Sequence, residues 1–373
     1  MGPPDAFRDT LWHLFGPVRP YLDDPDVTDV LINGPDEVFV ERHGRLERVP
    51  ARFADRASLE AALRSAAQFS GARLDERHPV LEGSLPDGSM LEAVFAPAAP
   101  DGPYAAIRRR RAGELTLERL VEIEALTADV AQTLRALLAA RCQVLVSGGA
   151  SSGKTSLLGA LLAAAPEGER VVVVEEGREL AARRPHTLRL EARGSGPGGS
   201  RDLLRAALRL RADRVVFGEL RGAEALDFAQ AMAGGAGAMA TLRASHPRDA
   251  LARFEGLCLM ADAHLPPLAV RNLISAGLNA VVHTARLQDG SCRVTHLSEV
   301  RGFDVREGSY LTVDLFYRAY RGVVTDGAVQ SELIPTGTLP RFLPRLREHG
   351  VDLPRAVYEM AERRGTSAPP DRT

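Results

Sequence analysis

The spacing of apolar residues changes several times along the chain, and the changes divide it. Residues 7–22 carry apolar side chains at helical intervals around Trp12, which predicts a short amphipathic helix. Short apolar bursts follow: Val30-Leu31-Ile32 and Val38–Glu41 predict two strands, and Asn33-Gly34-Pro35 and His43-Gly44 predict the turns that lead into the second and a third. From Ser58, Leu59, Ala62, Leu63 and Ala66 return to helical spacing, with Gly71 as the stop. His78-Pro79 and Leu85-Pro86-Asp87-Gly88 punctuate strands near 80–84 and 89–95. These elements predict a smaller mixed α/β domain over 1–111, ending at Ile107 and the four arginines Arg108–Arg111, and a linker over 112–127.

Beyond the linker, Ala128–Arg141 has helical spacing. Residues 144–147, 171–175 and 215–218 are continuous apolar runs, as parallel strands covered on both faces must be. Further strands are predicted over 239–242 and 280–284, with helical stretches between. This alternation predicts an α/β fold with a parallel-rich central sheet over 128–320. The glycine-rich segment 191–200 reads as a mobile loop, and Ser200 as the cap of a helix over 201–211 with Asp202 in its first turn. Past 290, strands near 293–300 and 311–316 and a helix near 340–349 are predicted. Residues 321–373 form a C-terminal appendage whose tail from Thr366 is expected to be disordered.

One junction carries chemistry. The strand Val144–Val146 breaks into Gly148, four intervening residues, Gly153, Lys154 and Thr155, and a helix begins near Lys154. This is the phosphate-loop pattern in the strand–loop–helix setting it requires. Backbone N–H groups converge on phosphate oxygens only where no side chain intrudes, and the helix N-terminus favours negative charge. Gly148, Gly149, Ala150, Ser151, Ser152, Gly153, Lys154, Thr155 and Ser156 are therefore the candidate nucleotide cradle. Lys154 supplies a point charge for the β- and γ-phosphates, and the Thr155 hydroxyl a ligand for Mg²⁺. Lysine and arginine together number 47, and Lys154 is the only lysine. The chain keeps its one ammonium where a compact charge is needed and a planar guanidinium would not fit.

Nucleoside triphosphate hydrolysis also needs an acid at the end of a strand, to hold Mg²⁺ or orient water. Two predicted strands finish that way, one in Glu175-Glu176 and one in Glu219. Glu219 is assigned to Mg²⁺ and water ordering and Glu175 to polarising the attacking water, although sequence alone leaves the two roles interchangeable; Glu176 joins Thr155 and Glu219 as a candidate metal ligand. The Arg108–Arg111 run is either a solvated basic turn or a group facing a polyphosphate of this subunit or its neighbour, and its place beside the linker favours the second.

Composition narrows the class. A formal net charge of −2 gives no global pull toward nucleic acid or anionic lipid. Cys142, Cys258 and Cys292 lie far apart without metal-ligand spacing, which suits a reduced cytoplasmic compartment; Cys142 and Cys258 read as core residues. No apolar run reaches the ~18 residues of a membrane span, and no export signal is visible in Met1–Asp9.

Taken together, LRLRADRVVFGELRG (208–222), the 175–180 acidic segment and the phosphate loop resemble the secretion and pilus traffic ATPases, most closely the CpaF-type motors of Tad (Flp, type IVb) pili and of type II/IV secretion. VTDVLINGPDEVFVERHGRLE (27–47) and LDERHPVLEGSLPDGS (74–89) resemble that family's N-terminal domain, and ALARFEGLCLMA (250–261), AVRNLISAGLNAVV (269–282) and RLQDGSCRV (286–294) its C-terminal part. The resemblance implies a RecA-like P-loop NTPase domain and a homohexameric ring with ATP and Mg²⁺ between subunits. It also implies an inner-membrane platform protein as partner, with the ring cytoplasmic and peripheral at that membrane. Under it Arg108, Arg209 and Arg221 stand where family arginines contact the γ-phosphate.

The departures bear on mechanism. The family's T-x-H-A-N box reads Thr241-Leu242-Arg243-Ala244-Ser245 here, Gly235 replaces a second histidine, Glu176 stands where aspartate is usual, and Met90 replaces an arginine. Imidazole relays a proton and switches charge near neutral pH; Arg243 does neither, although it can neutralise γ-phosphate charge in cis. Three functions follow: an ATPase motor whose turnover is slow because of the altered box, an ATP-binding regulatory subunit that co-assembles with an active ATPase paralogue, or a RecA-like nucleic-acid motor. The near-neutral charge and an aromatic content of 5% argue against the last, so no nucleic-acid partner is expected.

Overall fold

The computed structural model describes residues 5–42, 44–109, 115–177, 179–180, 184–192, 198–261, 264–323 and 327–364. The chain splits into two compact units, Met1–Ala112 and Gly113–Thr373.

In the N-terminal unit the helix expected over 7–22 is two helices, α1 (Asp5–Leu14) and α2 (Arg19–Asp23). Gly16-Pro17 breaks it, because proline has no N–H to donate and its ring clashes with the preceding turn. Strands β1 (Val27–Asn33), β2 (Val38–Arg42) and β3 (Arg45–Val49) follow. Helix α3 (Arg56–Ser70) starts two residues before Ser58, because Asp55 caps it by accepting the Ser58 N–H at 2.7 Å. It stops at Gly71, as the spacing predicts. Strands β4 (Val80–Ser84), β5 (Met90–Val94) and β6 (Tyr104–Arg108) complete an antiparallel sheet in the order β3-β2-β1-β6-β5-β4. Its inward residues (Val30, Ile32, Val40, Leu81, Leu91, Ile107) meet Leu59, Ala62, Leu63 and Ala66 of α3 in one core.

The stretch expected as a linker holds a helix. After residues 112–114, which lie outside the described residues, α4 (Leu117–Glu122) begins at the Thr116 cap and buries Leu117 and Leu120. Its six residues are too few to show a period, so the pattern missed it. The Thr127 cap then opens α5 (Ala128–Ala139).

Strand β7 (Val144–Gly148) feeds α6 (Lys154–Ala164); then come β8 (Val171–Glu175), β9 (Thr187–Glu191), α7 (Ser200–Arg209), β10 (Arg214–Leu220), α8 (Glu224–Ala233), β11 (Gly237–Arg243), α9 (Pro247–Leu259), α10 (Pro267–Gly277) and β12 (Ala280–Arg286). Ser200 is the first residue of α7 rather than its cap, and its hydroxyl instead donates to Glu176 at 2.9 Å. Strands β13 (Cys292–Asp304), β14 (Ser309–Val323) and β15 (Val329–Pro335) and helices α11 (Leu343–Glu348) and α12 (Arg355–Arg363) end the chain's described part. The boundary expected after residue 320 falls inside β14, and β15, α11 and α12 share the same sheet and core. The tail from Thr366 and residues 193–197 of the expected loop over 191–200 lie outside the described residues.

The nine-stranded sheet runs β15-β14-β13-β12-β7-β11-β10-β8-β9. The pairs from β12 to β9 are all parallel, and β13, β14 and β15 extend the sheet antiparallel. Side chains alternate between its faces. Val144, Val146, Val171 and Val173 pack with α5, α6 and the C-terminal helices, while Leu145, Val172, Val174 and Phe217 pack with α7 to α10. Both faces are covered, so the strands are apolar throughout, and polar chemistry is confined to their ends.

Candidate phosphate-binding and acidic site

Because β12, β7, β11, β10 and β8 are parallel, Thr284, Gly148, Arg243, Glu219 and Glu175 all lie toward one edge of the sheet, at the carboxyl ends of their strands. β7 is flanked by β12 and β11, with Gly148 registered against Thr284 on one side and Arg243 on the other. In open α/β sheets ligands bind at this edge.

The loop curls because its glycines permit it. A Cβ on Gly148 would lie 2.3 Å from the Thr284 carbonyl oxygen and 2.4 Å from Ser152 Oγ, so no larger residue fits there. Gly153 caps α6 at φ +90°, in left-handed conformation that costs glycine little. Lys154 is buried, and its Nζ donates to the Gly149 carbonyl at 2.6 Å, so the ammonium is turned into the loop. Ser152 Oγ donates to the same carbonyl at 3.0 Å. Thr155 and Ser156 occupy the first turn of α6, half-buried; Gly149, Ala150 and Ser151 form the exposed outer part of the loop. A curled backbone, an inward ammonium and a helix N-terminus fit a polyphosphate.

Four supporting residues were not singled out by the sequence. Thr284 Oγ1 donates to the Ser147 carbonyl at 3.2 Å and lies 3.0 Å from Ser152 Oγ, bracing the loop from beneath. His283 Nδ1 lies 2.8 Å from Ser147 Oγ. At the outer end, Arg286 Nε and Cys292 Sγ both donate to the Ser151 carbonyl, at 3.2 and 3.3 Å. Nothing local in the sequence shows that β12 neighbours β7.

The acids form a second cluster. Glu219 Oε1 accepts from Arg243 Nε at 2.9 Å, and Oε2 accepts from Arg221 Nε at 2.7 Å. Arg221 Nη1 also reaches Glu176 Oε2 at 3.0 Å. Burial acts to raise the Glu219 pKa, but Arg221 and Arg243 outweigh it and hold the carboxyl below its ordinary value.

Glu175 is more enclosed than Glu219. It is buried, Oε2 accepts the Leu180 N–H at 2.9 Å, and Oε1 accepts from Arg189 Nη1 at 3.0 Å. Burial pushes its carboxyl above the ordinary value, although those two donors pull the other way. With both oxygens engaged it braces the 175–180 turn, and Glu219 is the acid nearer β7 in strand order.

Two further expected arginines lie on other elements. Arg209 ends α7, exposed, beside Leu210, whose carbonyl accepts from Arg170 Nε at 2.9 Å just before β8 begins. That is the opposite edge of the sheet, because α7 runs back from Glu176 toward the start of β8. Arg209 therefore does not meet this chain's own phosphate loop. Arg108 belongs to the N-terminal unit, where it ends β6 and pairs with Asp29 at 3.1 Å. Arg110 and Arg111 lie outside the described residues.

Residues 13–324 match a family described as type II/IV secretion system protein. The chain belongs to that family. Among its similar members is a putative conjugal transfer protein of Mycobacterium tuberculosis, 34% identical over 331 residues, covering 86% of this chain and 92% of the relative. The type IV secretion system protein VirB11 of Brucella suis is 31% identical over 320 residues, covering 76% and 88%. Among solved structures, the ATPase DotB of Legionella pneumophila aligns with a TM-score of 0.53 at 16% identity, covering 82% of this chain and 83% of that one. The pilus retraction motor PilT with bound ADP aligns at 0.52 and 15%, covering 95% and 89%. These secretion-family likenesses agree with the two-unit α/β fold.

Proposed function

We propose that this chain is an ATPase motor of a secretion, conjugation or pilus machine. The observation that carries the reading is the buried Lys154 ammonium turned into a curled loop at the start of α6, in a chain of the type II/IV secretion family. The printed functions of the relatives, conjugal transfer and type IV secretion, point the same way. Gly148–Ser156 would hold the phosphates of ATP, and Thr155, with Glu219 and Glu176, the Mg²⁺. Bound MgATP supplies the phosphoryl group and its neutralising metal. The chain's own residues orient it: Thr284 and His283 hold the floor of the loop, Lys154 supplies positive charge, and Glu219 presents a carboxylate held ionised by Arg221 and Arg243.

In this reading the chain works as a homohexameric ring, cytoplasmic and peripheral at the inner membrane, with a polytopic platform protein as partner and Tad-type pilus assembly as one pathway. Among the described residues no helix is long and apolar enough to cross a membrane. Turnover is slow, because Arg243 replaces the histidine of the box. The deciding measurement is steady-state ATP hydrolysis by the purified chain beside Lys154→Ala and Glu219→Gln, with ring formation read by mass. Loss of turnover by at least a hundredfold in both variants is expected. Wild-type protein with no affinity for adenine nucleotides would overturn the reading.

A second reading, an ATP-binding subunit that co-assembles with an active paralogue, is favoured by the occupation of both Glu219 oxygens by arginines. It predicts tight ATP binding, negligible turnover, and a gain in turnover on Arg243→His.

A further inference from the structure

Glu219 and its two arginines are not equivalent partners. Arg221 is anchored twice, on Glu219 through Nε and Nη2 (2.7 and 2.6 Å) and on Glu176 through Nη1 (3.0 Å). Among the described residues, Arg243's side chain has a single hydrogen-bond partner, Glu219 Oε1 at 2.9 Å. Its side chain is 52% exposed against 16% for Glu219, so the guanidinium lies largely in solvent while the carboxylate is mostly enclosed. Its backbone is fixed at the loop: Arg243 is registered against Gly148, and the next residue, Ala244, donates its N–H to the Gly148 carbonyl at 3.1 Å. The same residue therefore touches the acid with its side chain and the phosphate loop with its main chain.

An arginine that lies half in solvent is held to its carboxylate with little free energy, because water competes for the guanidinium and the long side chain loses entropy when fixed. A phosphate group with two negative charges offers a planar guanidinium a stronger, two-point partner. Where both are within the sweep of one side chain, the phosphate wins it. We propose that Arg243 is a latch on Glu219 that a nucleoside triphosphate opens: it rests on Oε1 of the carboxylate and moves to the terminal phosphate of the ligand, and only then does that oxygen become available to metal or water. A diphosphate lacks the terminal group and leaves the latch closed. Arg221, held by two carboxylates, keeps Oε2 and fixes the carboxylate's orientation through the exchange. The inference rests on the nucleotide-binding reading of the loop and adds to it how the triphosphate is told from the diphosphate.

The test measures binding rather than turnover. Affinities of the full-length chain for ATP and ADP are measured by isothermal titration calorimetry with divalent metal removed by chelation, so that no metal-ligand role of Glu219 enters. Arg243→Ala is expected to weaken ATP about tenfold and ADP by less than twofold. Arg243→Lys, which keeps the charge but not the fork, restores part of the loss. Glu219→Gln releases the arginine in advance and is expected to raise the ATP-over-ADP preference several-fold. A structural ion pair would shift both nucleotides equally in Arg243→Ala, or move the preference in the same direction in both variants; either result overturns the latch. If Arg243→Ala fails to fold by circular dichroism, Glu219→Gln decides alone, an unchanged or lowered preference counting against the latch. Wild-type chain that binds neither nucleotide overturns the loop reading, and the latch falls with it.

Discussion

His283 shows how one side chain makes the loop's support depend on pH. Burial first, then the neighbouring imidazoles of His296 on β13 and His246 at the start of α9, depress its pKa to about 4, against the Ser245 backbone and Asp249, which favour the charge. The rings stand 6.4 Å from His283 and 5.4 Å from each other. A histidine whose folded pKa lies below its unfolded value contributes no pH-dependent loss above about 6.5. As pH falls from there toward about 4, the unfolded chain binds the proton that the native state refuses. Stability should therefore fall by up to about 1.4 kcal/mol per pH unit across that window, and His283→Gln should flatten the slope in urea titrations at pH 7, 6 and 5. Arg214 makes the opposite kind of case. It is fully buried, bonded to Glu169 at 2.7 and 3.1 Å and to the Leu138 carbonyl at 2.7 Å. Glu169→Ala strands that charge and should cost about 3–5 kcal/mol, read as a lowered denaturation midpoint at unchanged m-value.

Strand β12 is the element on which the loop leans. Thr284→Val removes the hydroxyl shared between the Ser147 carbonyl and Ser152 Oγ while keeping the side chain's shape. The expected cost is about 1–2 kcal/mol of stability, with a several-fold loss of nucleotide affinity by calorimetry; unchanged affinity would remove β12 from the site. This element also marks where the sequence is legible and where it stops. The Val144–Val146 and Val171–Val174 runs announce buried parallel strands because both faces are covered, and Gly148, Gly153 and Lys154 announce the loop because steric and charge requirements leave few alternatives. β9 was missed because it is a five-residue edge strand whose polar–apolar alternation, Thr187–Glu191, is too short to stand out, with Leu188 and Leu190 only half-buried against the core. The support from His283 and Thr284 was missed because spacing reports burial, not which strand lies beside which across 136 residues. The position of Arg209 was not legible for the same reason: a local match to a motif does not show toward which edge of the sheet α7 carries its last turn.

At the scale of the whole chain, the division into two units makes a separable claim. The C-terminal unit has its own nine-stranded sheet, with a core on each face. Every hydrogen bond described here as shaping the phosphate loop joins residues between Ser147 and Cys292. A fragment of residues 113–373 should therefore melt in one cooperative transition and bind ATP within about tenfold of the full chain, since it keeps all of these hydrogen bonds. Turnover should fall further than binding, because Arg108, which the family resemblance places at the γ-phosphate, leaves with the N-terminal unit. Calorimetric melting, ATP titration and steady-state hydrolysis on the fragment separate these outcomes. A fragment that binds dye like a molten globule, or that loses ATP affinity by several orders of magnitude, would mean that the N-terminal unit helps build the loop itself.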